Sequence, residues 1–297
     1  MLSVCIPVYN VDVSSLVKDL IGQAHELSIN IQVLIYDDGS SETFKLINRS
    51  ISNLKEVDYK ELKVNHGSAA IRNKMAADAL HNNLLFIDSD SDIQKDYLQK
   101  YLPFLSKNKM IVYGGRIHPS KLPSKDKSLR WKVGKCKEDF SVSIRRKVPN
   151  KSFMSNNFLA KKQLFDRIKF DDTIERSGHE DTIFGIELEK QGITIIHIDN
   201  PVTHIGLESN QEFIQKTEQR LETLKLIEQK YGDNKLLYER ITILKYYKKI
   251  EQLKLHFIIS RLFVKFKKHM ALSLLKQNPS MFIYDMYKLG YYSLLSK

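Results

Sequence analysis

A chain of 297 residues with 42% hydrophobic and 28% charged residues can bury one large core or two modest ones and has an ordinary globular composition. Two cysteines, Cys5 and Cys136, are too few for a disulfide framework, and no run of about 18 uncharged apolar residues is present to span a bilayer. The net charge of +12 is concentrated late: from Lys235 onward thirteen Lys and Arg face three acids, Glu239, Glu251 and Asp285, which argues against nucleic-acid binding by the whole chain and points to a local anionic surface as partner.

The opening MLSVCIPVYN lacks the basic start of a signal peptide and reads as a strand, so a reducing, cytoplasmic setting is expected. Apolar, β-branched runs and helically spaced segments then alternate. LSVCIPVY, IQVLIYDD, VDYKELKV and NLLFID read as strands; SSLVKDLIGQAHEL, SETFKLINRSIS and SAAIRNKMAADAL between them read as helices. This alternation predicts a mainly parallel sheet with ligands at the carboxyl ends of its strands. DYLQKYLPFL reads as helical, and KMIVYGGRIH (109–118) as one strand. The Lys-rich segment 119–152, with three prolines and little periodicity, is expected to form a mobile loop. NNFLAKKQLFDRI (156–168) and EDTIFGIELEKQGI (180–193) read as helices, with TIIHI a strand after them. From about residue 211 the pattern is helical, with breaks at YGDN and QNPS.

Four strand ends carry polar clusters: Pro7-Val8-Tyr9-Asn10, Asp37-Asp38-Gly39-Ser40, Asn65-His66-Gly67 and Asp88-Ser89-Asp90. Four in succession make a crevice. In FIDSDSD, Asp88 and Asp90 lie two apart, so extended backbone projects both carboxylates to one side, where hard oxygen ligands suit Mg²⁺ or Mn²⁺. The same spacing also fits turn-forming aspartates; an EF-hand is disfavoured because its glycine and distal glutamate are missing. His204 is a further metal-ligand candidate or a structural histidine. Glu180 and Asp181 open a helix, where acids suit the helix dipole and can also serve as a general base.

Taken in order, these segments resemble the family 2 glycosyltransferases. SVCIPVYN is similar to that family's first nucleotide-binding strand, IYDDGSSE to its D-D-G-S turn, NHGSAAIRNKMAADAL to its A-R-N helix entry and LLFIDSDSD to its D-x-D motif. FMSNNFLAKKQLF and HEDTIFGIELEKQGI resemble the acceptor-side and base segments, and VTHIGLES the late histidine segment. The resemblance implies an α/β fold of GT-A type, a Rossmann-like nucleotide-diphospho-sugar transferase domain over 1–210, followed by a basic amphipathic helical extension over 211–297. It implies inverting transfer from a nucleotide-sugar donor, UDP by family habit, to a glycan or lipid-linked acceptor in bacterial surface polysaccharide synthesis. Pro7, Tyr9, Asp37, Asp38, Arg72, Asn73 and Asp88 would hold the nucleotide, with Asp37 either touching ribose or positioning its turn. Gly114 and Gly115 would admit the donor sugar. Asp90, Asp88 and His204 would bind Mn²⁺ or Mg²⁺. Asp181, beside Glu180, would be the base. Asp92 is expected to be a solvated surface acid.

The basic segment 127–147 reads as a solvated loop or as a lid, with Arg145 or Arg146 on phosphate and Trp131 on a sugar face. Residues 235–276 mix Phe, Tyr and Lys at helical spacing and suit either packing on the catalytic domain or a peripheral contact with an anionic membrane. Two rivals remain at this level. A nucleotidyltransferase of similar fold needs a glycine-rich basic loop where this chain has PVYN, and a non-catalytic nucleotide- or membrane-binding scaffold leaves Glu180, Asp181 and the D-x-D pair without purpose.

Overall fold

The computed structural model describes residues 1–106, 111–174, 178–232 and 234–296. In chain order the elements are β1 (Leu2–Val8), α1 (Ser14–Glu26), β2 (Ile31–Asp37), α2 (Glu42–Arg49), β3 (Val57–Glu61), α3 (Gly67–Asp78), β4 (Asn83–Ile87), β5 (Ser91–Asp92), β6 (Ile111–Tyr113), β7 (Arg116–Ile117), α4 (Ser128–Lys137), α5 (Val142–Arg145), β8 (Asn157–Lys161), α6 (Lys162–Phe165), α7 (Glu180–Lys190), β9 (Ile196–His197), β10 (Val202–His204), α8 (Asn210–Tyr231), α9 (Lys235–Arg240), α10 (Thr242–Gln252), α11 (His256–Leu274) and α12 (Met281–Leu295). They fall into two compact units. One comprises Met1–Ile117, Phe140–Glu175 and Ile183–Gly206; the other comprises His118–Asp139, Arg176–Thr182 and Leu207–Lys297.

The first unit is built on a seven-stranded sheet in the order β3-β2-β1-β4-β8-β6-β9. The neighbours among β1 to β4 pair in parallel, as do β6 and β9; β8 alone runs antiparallel, to β4 and to β6. The sheet is therefore mainly parallel, as the strand–helix alternation predicts. Its inner strands are covered on both faces, which is why they read as unbroken apolar runs. On one face Leu16, Val17, Leu20 and Ile21 of α1 pack on Val4, Ile6, Val33 and Ile35. On the other, Ile71 and Met75 of α3 pack with Cys5, Leu34 and Phe86 beside Phe158, Phe165, Phe170 and Phe184. A second sheet, β5-β10-β7, is small; β10 runs antiparallel to β5 and parallel to β7.

Three expectations are corrected. Residues 156–168 do not form one helix. Asn157–Lys161 is the strand between β4 and β6, and only Lys162–Phe165 is helical; pairing on both sides outweighs the helical spacing. The strand expected over 109–118 breaks at Gly114-Gly115 into β6 in the large sheet and β7 in the small one, and its first two residues lie outside those described. The segment 119–152 is not a featureless loop: it holds α4 and α5. One of the buried positions of α4 is Arg130, bidentate to Glu138 at 3.1 and 3.0 Å, and a charge at a buried position hides the helical pattern. DYLQKYLPFL is a single 3₁₀ stretch, Gln99–Phe104, with Pro103 inside it.

The second unit is helical. The helices break at both predicted places, with Asp233 outside the described residues, and also near Ile241 and Leu253–Leu255. Ser209 and Glu212 form a capping box at the start of α8. Tyr287, Tyr291 and Tyr292 of α12 donate to Glu218, Glu222 and Glu228 of α8, the last two at 2.7 and 2.8 Å. These phenols give the carboxylates partners where the helices meet. A Cβ at Gly290 of α12 would lie 2.5 Å from the Phe263 ring of α11, so glycine sets that close approach.

Candidate active site

The ends of β1 and β2 are tied together by their own loops. Asp38 N–H donates to Val8 O at 2.7 Å, Asn10 N–H to Ser40 Oγ at 2.8 Å and Ser41 N–H to Asn10 Oδ1 at 2.8 Å. Asp37 is fully buried and accepts from Ser40 N–H at 2.7 Å, which is the turn-positioning alternative. Gly39 has φ +82°, and a Cβ there would lie 3.0 Å from the Asn65 nitrogen; the turn requires glycine. Asp38 accepts from the main-chain N–H groups of His66 and Gly67 at 2.9 and 3.0 Å, so it joins the β2 turn to the start of α3. Pro7 is half-buried in β1 and Tyr9 is exposed beyond it.

At the end of β4 the two aspartates have different partners. Asp88 Oδ1 accepts from Arg72 Nη2 at 2.6 Å, and the buried Arg72 also donates to Ser68 O at 2.9 Å. Burial, aided by the Asp90 charge, pushes the Asp88 carboxyl above its ordinary range, against Arg72, Arg116 and His204. Asp90 Oδ2 lies 2.9 Å from His204 Nε2. The small sheet sets this meeting by pairing His204 with Ser91 and Thr203 with Asp92, while Ile205 N–H donates to Asp90 O at 2.9 Å. Asp92 is exposed. The structure thus joins Asp90 with His204 and Asp88 with Arg72. Asn73 is engaged elsewhere: its amide donates to Phe170 O at 2.9 Å and accepts from Phe170 N–H at 3.0 Å.

One carboxylate and one imidazole suit Mg²⁺ or Mn²⁺ that completes its shell with diphosphate and water. Among the described residues no three His, Cys, Asp or Glu side chains converge as a ready metal cage. Gly206 belongs to this site and was not singled out in the sequence. A Cβ there would lie 2.5 Å from Asp90 Oδ2 and 2.6 Å from Asp90 Cβ. Its only signal is a glycine two places after the histidine.

Gly114 and Gly115 lie in close packing. A Cβ on Gly114 would meet Asn157 Nδ2, Asn200 O and Tyr101 Oη, each at 2.5 Å, and Gly115 has φ +107° with Arg145 Nη2 2.7 Å from where its Cβ would stand. Arg145 is buried and donates to the carbonyls of Gly114 and Ile198 at 3.0 and 2.9 Å, Phe140 at 3.1 Å and Tyr113 at 3.3 Å. It is a main-chain clamp and not a phosphate ligand, which corrects one reading of the basic segment. Arg146 is exposed and donates to His197 O at 3.0 Å. Trp131 uses its indole N–H on Pro119 O at 2.8 Å.

Glu180 and Asp181 stand in the first turn of α7. Glu180 is buried, and its Oε2 accepts from Gly178 N–H at 2.7 Å; Asp181 is half-buried.

The sheet order and the strand-end cluster define a GT-A domain. The profile of glycosyl transferase family 2 matches residues 3–173, more than half of the chain, and the chain belongs to that family. An uncharacterised glycosyltransferase of Haemophilus influenzae is 30% identical over 118 residues, 39% of this chain and 46% of that protein. The chain spans less than half the length of the curated relatives it matches. Among solved structures, a mannosyltransferase of Pyrobaculum calidifontis in complex with GDP-Man and Mn²⁺ aligns with TM-score 0.59 at 14% identity, over 98% of this chain and 84% of that one. GalNAc-T7 with UDP, GalNAc and Mn²⁺ aligns with TM-score 0.53 at 15% identity, over 70% and 43%. Both likenesses are of fold.

Proposed function

We propose that the protein is a metal-dependent, inverting glycosyltransferase that moves a sugar from a nucleotide-diphosphate sugar, UDP being the expected nucleotide, to a hydroxyl of a glycan or lipid-linked acceptor in bacterial surface polysaccharide synthesis. The observation that carries this reading is the pairing of Asp90 with His204 beside the Asp88–Arg72 ion pair at the end of β4. The laced loops of Pro7, Tyr9, Asp37 and Asp38 shape the nucleoside pocket. Arg72 holds Asp88 oriented toward the ribose or the metal, and Asn73 fixes the helix that carries Arg72. When bound, a divalent ion supplies charge neutralisation to the diphosphate leaving group. The donor sugar approaches the main chain at Gly114 and Gly115, whose missing side chains make room for Asn157, Tyr101 and Arg145. Asp181, with Glu180 beside it, takes the proton of the acceptor hydroxyl as its oxygen attacks the anomeric carbon and the diphosphate leaves in line.

The chain acts at the inner face of the membrane. No helix among the described residues is long and apolar enough to cross a bilayer. On α11 the exposed Phe257, Ile258, Leu262, Val264 and Phe266 lie among Arg261, Lys265 and Lys268, a composition suited to an anionic surface, where each basic residue is worth about 1 kcal/mol. The test of function is a thermal-shift screen of nucleotide sugars with and without Mn²⁺, followed by transfer assays of Asp181→Asn. That variant should bind donor and fail to transfer. Wild-type turnover by it would remove Asp181 as base, and no nucleotide-dependent shift in any condition would sink the transferase reading.

A further inference from the structure

The helical second unit contains a cavity of about 280 Å³ whose wall includes His179, Thr182, Arg220, Arg240, Thr242 and Lys288. Three of these are cationic, two offer hydroxyls, and among the described residues no aspartate or glutamate lines the space. Gathering like charges around one half-open hollow is unfavourable unless an anion or water compensates them.

The local partners of Arg220 and Lys288 leave positive charge in excess. Arg220 lies over the Phe213 ring, 5.9 Å from its centroid, and among the described residues no carboxylate pairs with it. Lys288 has Asp285 at 2.9 Å, but Asp285 is shared with Lys137 at 2.5 Å. Burial keeps the His179 imidazole neutral, with a pKa down at about 4; Arg220 and Lys288 add to this, against Glu180. A neutral imidazole and the threonine hydroxyls can each donate a hydrogen bond without adding charge. The backbone is shaped around the same group. His179 has φ +66°, a left-handed conformation uncommon outside glycine, and a Cβ on Gly178, at φ +142°, would stand 3.3 Å from Arg220 Cγ. The volume corresponds to roughly nine waters at the liquid share of 30 Å³ each, enough for a phosphate with its ester neighbours.

We infer that this cavity binds a phosphate or diphosphate group carried by the acceptor. Arginine, lysine and hydroxyl donors around one half-open hollow are the chemistry that recognises phosphate oxygens. Thr182, which lines the cavity, directly follows Asp181 in the first turn of α7, so the anion site begins one helix position from that carboxylate. The acceptor assignment rests on the glycosyltransferase reading; the anion site itself does not.

The test is calorimetric titration of the full chain with inorganic phosphate and pyrophosphate, without divalent metal. Four proteins are compared: wild type, Asp90→Ala, Arg240→Gln and the double variant Arg220→Gln/Lys288→Met, each with its melting temperature measured. Wild type and Asp90→Ala should bind with equal Kd. Both cavity variants should bind at least ten-fold more weakly, and Arg240→Gln keeps the test valid if the double variant does not fold. No binding by wild type, unchanged binding in the cavity variants, or binding that disappears in Asp90→Ala overturns the anion site. The source is then decided by KM: Arg240→Gln should raise KM about ten-fold for a phosphate-bearing acceptor and not for its neutral analogue. Equal effects on both overturn the acceptor assignment. Wild-type failure to transfer to either acceptor overturns the glycosyltransferase reading and the acceptor assignment together, while the titration still decides the anion site.

Discussion

Asp90 and His204 are 114 residues apart in the chain, and their side chains meet at 2.9 Å between Oδ2 and Nε2. Antiparallel pairing of β5 with β10 sets that distance. Replacing Asp90 with alanine removes the carboxylate of the pair. Donor Kd measured in Mn²⁺ should rise at least ten-fold, a loss of about 1.4 kcal/mol. In EDTA the variant and wild type should bind alike, and equal affinities in Mn²⁺ would show that Asp90 is not a metal ligand.

Gly206→Ala tests the same site without touching a ligand. The added methyl would stand 2.5 Å from Asp90 Oδ2 and must turn the carboxylate aside. Mn²⁺-dependent donor binding should weaken several-fold while the melting temperature stays within a few degrees. Retention of full donor affinity would show that Asp90 adjusts freely.

Arg145→Met should chiefly affect stability. The guanidinium serves four main-chain carbonyls in a buried position, and methionine leaves those acceptors unsatisfied. Urea unfolding should show a loss of at least about 3 kcal/mol, the scale of breaking buried charged hydrogen bonds. A loss below about 1 kcal/mol would mean that water replaces the clamp.

His197 makes stability depend on acid. Its ring is buried; Nδ1 lies 3.0 Å from Arg145 Nη1 and Nε2 2.9 Å from Pro149 O. Arginine only donates and a carbonyl only accepts, so the ring is neutral with its proton on Nε2. Burial lowers its pKa from 6.5 to about 4, with Arg145 and Arg146 acting in the same direction against the Pro149 hydrogen bond. Between those values the unfolded chain binds the proton and the folded chain does not, so stability falls as pH drops from 6.5 toward 4. The loss from pH 7 to pH 5 should be about 2 kcal/mol at 1.36 kcal/mol per pH unit. His197→Gln should flatten that part of the profile; an unchanged acid slope would assign it to other groups.

Much of this arrangement is legible in local pattern. β1, β2 and β4 are covered on both faces, so their apolar runs announce them, and the polar clusters at their ends mark the site. Elements whose reasons lie far along the chain are less visible. Asn157 sits in a helix-like stretch, yet its Oδ1 accepts from Tyr97 and Tyr101 and its Nδ2 donates to Gly115 and Asn200. Those four partners place it in the sheet, and none is a sequence neighbour. Arg130 and Arg145 read as surface charge because their carboxylate and carbonyl partners come from folding. Gly206 is silent because its importance is an absent atom beside Asp90.

The long separation between Asp90 and His204 also governs the order in which the protein can be born. At translation speeds of roughly 5 to 20 residues per second, the acidic strand end waits about 6 to 23 s for the histidine 114 residues later. Throughout that interval the nascent chain holds Asp88 with Arg72 already synthesised, but lacks the imidazole that completes the pair with Asp90. The complete Asp90–His204 pair therefore arrives near the end of the first unit's synthesis, as a single late event on the ribosome.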